Sequence, residues 1–180
     1  MSIDIPDSIA SLFIPYPVLE ISLEIEGQRV RGRKILFGLR SGPVRVSLSA
    51  LAHEVAHFIE IDEDRMTEDG WGLVAPEMWI PGHPHPICEP VTDRMLEREI
   101  RVVAIQSYLH DALGIEDDVL DTLEALRFTP TARHIPFDAE GFLEAVMPMY
   151  IEQRAQWNAD RALSEWHRRA KIACSIMENE

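Results

Sequence analysis

The chain has 180 residues, 46% hydrophobic and 27% charged, the proportions of an ordinary globular protein long enough to bury a core as one domain. Its formal net charge of −14 repels phosphate backbones and anionic lipid heads. That excludes nucleic acid and membrane as first-choice partners.

Residues 1–16 mix short apolar pieces with Pro6, Pro15 and Pro17, and read as a short helix or an irregular arm. From Val18 to Glu26 the chain alternates: Leu19, Ile21, Leu23 and Ile25 point one way, Glu20, Ser22, Glu24 and Glu26 the other. This period of two predicts a half-buried strand. Glu26-Gly27-Gln28 reads as a tight turn, Arg29 to Phe37 as a second strand, and Val44-Arg45-Val46, after the turn Ser41-Gly42-Pro43, as a short third one. Ser47 can cap a helix from Leu48 to about Ile61 by accepting from the first turn's amide groups. A long Pro-, Gly-, His- and Trp-containing loop follows, from about Asp62 to Pro90; loops of that length tend to carry function or disorder.

A second helix is expected from about Val91 to Leu113, stopped by Gly114, and a third from about Glu116 to Leu126. The last helical region spans about Ala139 to Met177, with Pro148 expected to break or kink it. Strands first and helices after is an α+β pattern rather than an alternating βαβ one. A small N-terminal sheet is thus followed by helices, within a single domain over 1–180 that ends in a helical extension, 139–180. The two cysteines, Cys88 and Cys174, form no CxxC pair, so nothing calls for an oxidising compartment. The N-terminal residues show neither a basic nor an apolar targeting segment, and no run nears the ~18–20 apolar residues of a membrane span. The expected location is cytoplasmic.

Residues 53–57 read His-Glu-Val-Ala-His. On a helix, positions i and i+4 lie one above the other, about 40° apart around the axis, so His53 and His57 can reach one metal ion from the same face. Glu54 projects to the side, where it can take a proton from a water on that metal. The flanking Ala50, Leu51, Ala52, Val55, Ala56, Phe58 and Ile59 are uncharged. A buried helix that presents two imidazoles and a carboxylate needs a partner for them, and a metal is such a partner.

A catalytic zinc needs a third protein ligand, and the next helix offers Glu97 and Glu99. With Met95 at 0° and 100° per residue, Leu96, Ile100, Val103 and Leu113 fall between about 0° and 140°, Glu99 near 40° and Glu97 near 200°. Glu97 lies beside Arg94 and Arg101 on the polar side, whereas a carboxylate inside an apolar stripe needs a counterpart. Glu99 is therefore the expected third ligand. Gln106 and His110 share its face and are read first as ordinary polar residues, with support of a ligand as the alternative.

Glu60, one turn beyond His57, reads as a solvated helix end, and Asp62, Glu63 and Asp64 as a solvated acidic turn. Arg29, Arg31, Arg33, Lys34 and Arg40 read as the solvated face of a hairpin. The Pro-rich loop carrying His83 and His85, with Trp71 and Trp79 nearby in sequence, reads as a surface loop, with a substrate wall or lid as the alternative. For stabilising an oxyanion, His83, His85, Tyr108, His134 and Tyr150 stay open. Trp157 and Trp166 read as core or interface.

Val46-Ser-Leu-Ser-Ala-Leu-Ala-His-Glu-Val-Ala-His57 resembles the active-site helix of zincin metallopeptidases. Glu99-Ile-Arg-Val-Val-Ala104 resembles the second motif of ImmA/IrrE-type peptidases, with Ile100 in place of a small residue and Val103 in place of an aromatic. The resemblance covers about residues 44–106. It implies a gluzincin-like site, with His53, His57 and Glu99 holding Zn2+ and Glu54 as general base, and a small sheet whose strand precedes the active helix. The expectation is a zinc peptidase acting on a cytosolic protein. The alternatives are a non-catalytic zincin-fold component that keeps the metal and docks a protein partner through its C-terminal helices, and a metal-free protein with a chance motif.

Overall fold

Apolar residues recur with the helical period along residues 48–60 and 93–113, and both segments are helices. The structure is a computed structural model, which describes residues 7–22, 29–31, 34–38, 48–66, 93–116, 118–128 and 138–179. In chain order the elements are α1 (Asp7–Phe13), β1 (Leu19–Ser22), β2 (Arg29–Arg31), β3 (Lys34–Gly38), α2 (Leu48–Glu60), α3 (Asp93–Leu113), α4 (Val119–Ala125), α5 (Ala139–Ala155) and α6 (Ala159–Glu178), with short 3-10 turns at Glu63–Arg65 and Leu126–Phe128. Helix predominates, so the expected α+β pattern holds only loosely. Among the described residues no helix is long and apolar enough to cross a membrane.

The strands form one small sheet in the order β1-β3-β2. β1 runs parallel to β3, Leu19 opposite Ile35, and β2 runs antiparallel to it, Arg31 opposite Lys34. This corrects one expectation. The strand read from Arg29 to Phe37 is two strands, and Gly32, a residue that punctuates strands, falls between them in sequence. β1 pairs across the sheet with β3 rather than with the strand that follows it. The turn at 26–28, the strand at 44–46 and the Ser47 cap lie outside the described residues.

α3 separates two hydrophobic cores. On one side its Val102, Ile105 and Leu109 join α1, the sheet, α2 and α6; on the other its Leu96, Ile100, Val103 and Ala104 meet α4 and α5. Trp166 of α6 fills the centre of the first core, fully buried. The rings of Phe13, Tyr16 and Phe58 stand edge-on around it, and its indole N–H donates to the Leu12 carbonyl at 3.2 Å. That is a core role, with the polar tip of the ring satisfied. Trp157 is half-buried, and the Arg161 guanidinium lies over its ring.

Helix ends follow local chemistry. Gly114, at φ +66°, takes the left-handed conformation, and the Ile115 N–H bonds back to the His110 carbonyl, the glycine stop expected for α3. Asp118 caps α4 by accepting from the Leu120 N–H, so that helix starts later than expected. Of the break or kink expected at Pro148, the break does not occur there. α5 continues through Pro148 and ends at Ala155, and Asn158 then caps α6 by accepting from the Arg161 N–H at 2.8 Å. Pro148 and Glu144, whose carbonyl loses its helical partner, are both exposed, while Val146 and Tyr150 are buried against the second core. Water can satisfy the carbonyl, and packing holds the helix on both sides of the proline.

The segment read as a C-terminal extension is built into the interior: α5 packs in the second core and α6 in the first. α6 also closes the C-terminal end of α2. Arg169 donates to the carbonyls of Ile61 and Phe58, which helix ends leave unpaired and which favour a cation.

Candidate metal centre

α2 is buried along most of its length, with Leu51, Ala52, Val55, Ala56, Phe58 and Ile59 in the core. That packing sets its rotation, and the remaining side, carrying His53 and His57, faces α3. The ring centroids of His53 and His57 lie 4.7 Å apart, nearly perpendicular. Glu99, on α3, sits between them: its Oε2 is 3.8 Å from His53 Nε2 and 3.6 Å from His57 Nε2. One ligand atom from each of the three residues lies within 4.8 Å of the other two.

A tetrahedral ion with ligands at its usual bond lengths spaces them by about 3.4 Å. The observed spacings to Glu99 exceed that by a few tenths of an ångström, within the reach of small side-chain rotations. Two imidazoles and a carboxylate are an open three-ligand set of the kind catalytic divalent sites use. The three residues are thus close enough to hold a metal ion, and nothing in their geometry singles out zinc.

Glu99 is 2% exposed, and burial pushes its carboxyl up to about 8, helped by the charge of Glu54 and opposed by Arg98. A carboxyl in such a place favours its neutral form unless a cation arrives; a divalent ion reverses the balance. Glu97 is exposed, so the helical-wheel separation of the two glutamates holds. Glu54 is half-buried and near enough for its charge to act on Glu99.

Behind His53 lies a buried polar cluster. His53 Nδ1 and Gln106 Oε1 are 2.9 Å apart. The Gln106 amide nitrogen lies 2.8 Å from Ser49 Oγ and 3.2 Å from the Ser49 carbonyl. His110 Nε2 is 3.2 Å from Ser49 Oγ, and Thr122 Oγ1 is 3.4 Å from the same amide nitrogen. Gln106, fully buried, and His110, 4% exposed, therefore belong to the site's surroundings rather than being ordinary polar residues. Sequence reasoning missed Ser49. Its position one turn before His53, on the same helix face, was the available signal.

Glu60 is neither a ligand nor a solvated helix end. It bridges α2 to α3 through Arg98, and through Arg101 at 3.1 Å, and those arginines sit too far along the chain for a local reading to pair with it. Together with Asp62, Glu97, Arg98 and Arg101 it lines an open cleft of about 360 Å³. The turn after it is exposed as expected, although Glu63 pairs with Arg168 of α6. Of the oxyanion candidates, Tyr108 lies about 180° from Glu99 around α3, and its hydroxyl donates to the Arg154 carbonyl. Tyr150 is buried in the core between α3 and α5. Neither is brought to His53, His57 and Glu99. His83, His85, His134, Trp71 and Trp79 lie outside the described residues.

No protein-family model matches the chain, and no curated protein or solved structure matches it either.

Proposed function

We propose that the chain is a zinc-dependent peptidase with a zincin-like centre, in which His53, His57 and Glu99 hold the ion and Glu54 is the general base. The observation that carries this reading is the convergence of His53, His57 and Glu99 from two packed helices, with the carboxylate almost wholly excluded from water. Isolating a carboxyl from solvent beside two imidazoles is costly unless a cation joins them. The order of the residues, His-Glu-x-x-His on one helix and a glutamate on the next, is that of the gluzincin-like motif.

A divalent ion held there supplies Lewis acidity, polarising a carbonyl and acidifying water. Glu54, half-buried beside His53, takes a proton from the attacking water and returns it to the leaving amine. The buried flanks of α2 and α3 hold the ligands on rigid elements, and the partial exposure of His53, 18%, leaves one side of the set open to substrate. The substrate class is a peptide or protein, and a cytoplasmic location is the setting that the cysteine usage suggests.

The test is Glu54→Gln. The variant is expected to keep one zinc per chain by elemental analysis and to lose hydrolysis of a peptide library that the parent cleaves. Undiminished cleavage would sink the assignment.

A further inference from the structure

The peptidase reading leaves the polar cluster behind His53 unused, and that cluster carries an inference which rests on the metal-site reading. Gln106 is fully buried, with one end of its amide at His53 and the other at Ser49. A glutamine amide can be turned either way round, and its neighbours determine which end faces which. Ser49 supplies the deciding atom. Its backbone carbonyl, 3.2 Å from the amide nitrogen, can only accept, whereas the hydroxyls of Ser49 and Thr122 and the ring of His110 can adapt. Turned over, the amide would set its oxygen against that carbonyl and leave both acceptors buried together. The amide nitrogen therefore faces Ser49 and the oxygen faces His53.

An oxygen 2.9 Å from His53 Nδ1 requires that nitrogen to carry the proton. In the neutral ring, Nε2 is then the basic nitrogen, and Nε2 is the atom that lies 3.8 Å from Glu99. We infer that Gln106 is a positioning residue for the metal centre: anchored by the Ser49 carbonyl, it fixes the tautomer and rotation of His53 so that Nε2 faces the ion. The relay is short and closes on itself. Ser49 lies one turn before His53, so the carbonyl that orients Gln106 is the one the α-helical pattern pairs with His53's own N–H. One turn of α2 thus sets both the backbone and the ring of the ligand.

Two readouts test this on the full chain. In the metal-free protein at pH 8.5, ¹⁵N chemical shifts of the His53 ring are expected to show Nδ1 protonated and Nε2 not; the opposite tautomer overturns the proposal. Zinc affinity is then compared among the parent, Gln106→Met, which removes the acceptor at near-constant volume, and Gln106→Glu, which keeps an oxygen toward His53 and, as the neutral acid, an O–H toward the Ser49 carbonyl. Gln106→Met is expected to bind about 10–100-fold more weakly, the usual effect of removing a ligand's hydrogen-bond partner, and Gln106→Glu to recover most of that loss. Parent-like affinity in a folded Gln106→Met overturns the positioning role while leaving the metal site standing. A parent that binds no zinc overturns the metal site and this role together. If Gln106→Met does not fold, the tautomer in the parent and the affinity of Gln106→Glu still decide between the alternatives, since Gln106→Glu binding as weakly as a His53→Ala control contradicts the role.

Discussion

Replacing Glu99 by glutamine separates the stability of the metal-free fold from its capacity for metal. Burial and the nearby Glu54 raise the Glu99 carboxyl from 4.5 to about 8. Between those two values the folded chain keeps a proton that the unfolded chain releases. The contribution of Glu99 to the stability of the metal-free protein is therefore fullest below pH 4.5, falls as pH rises, and levels off above pH 8. Each unit in that window corresponds to at most about 1.4 kcal/mol, so the whole window is worth on the order of 5 kcal/mol. Glutamine cannot ionise and matches the shape of the neutral acid. In chelator-treated protein, the stability of Glu99→Gln minus that of the parent should grow steadily from pH 5 to pH 8, read by urea unfolding at each pH. At pH 6, where the variant's lead is about 2 kcal/mol, zinc should invert the order: a parent holding zinc at a hundredfold excess over Kd gains about 2.7 kcal/mol, and the variant gains little. A difference that does not change with pH would refute the claim that Glu99 is sealed from water by its own fold.

Other outcomes follow from the same geometry. Glu60→Ala should keep one zinc per chain by elemental analysis, because Glu60 pairs with Arg98 and Arg101 rather than with His53, His57 or Glu99; its cost should be only about 0.5–1.5 kcal/mol of stability, because both arginines are partly exposed and can turn to water. Gly114→Ala should lower stability by about 1–2 kcal/mol in thermal unfolding, since at φ +66° an alanine is strained although its Cβ would meet nothing within 4 Å, and zinc binding should not change.

The centre was legible in the sequence to the extent that helical periodicity determines it. His53 and His57 share a face by spacing alone, and Glu99 separates from Glu97 because about 160° of helix divides them. What spacing could not reveal is which side chains of other elements meet that face. The Arg98 and Arg101 partners of Glu60, and the Ser49 anchor of Gln106, arise from the packing of α2 on α3, and no local pattern encodes it. The sheet shows the same limit: alternation marked β1, but its parallel pairing with β3 is a non-local choice. At α5 and α6 two local signals competed. Pro148 costs one helical hydrogen bond on a solvent-facing side and is tolerated, whereas Asn158, whose side chain accepts the Arg161 N–H, provides the actual helix start.

X-ray absorption at the zinc edge of the metal-loaded chain tests the central claim most directly. Two imidazole nitrogens and carboxylate or water oxygens at about 2.0–2.2 Å are expected, with one imidazole contribution lost in His57→Ala. A sulfur ligand near 2.3 Å, or a spectrum unchanged by His57→Ala, would contradict a site built from His53, His57 and Glu99.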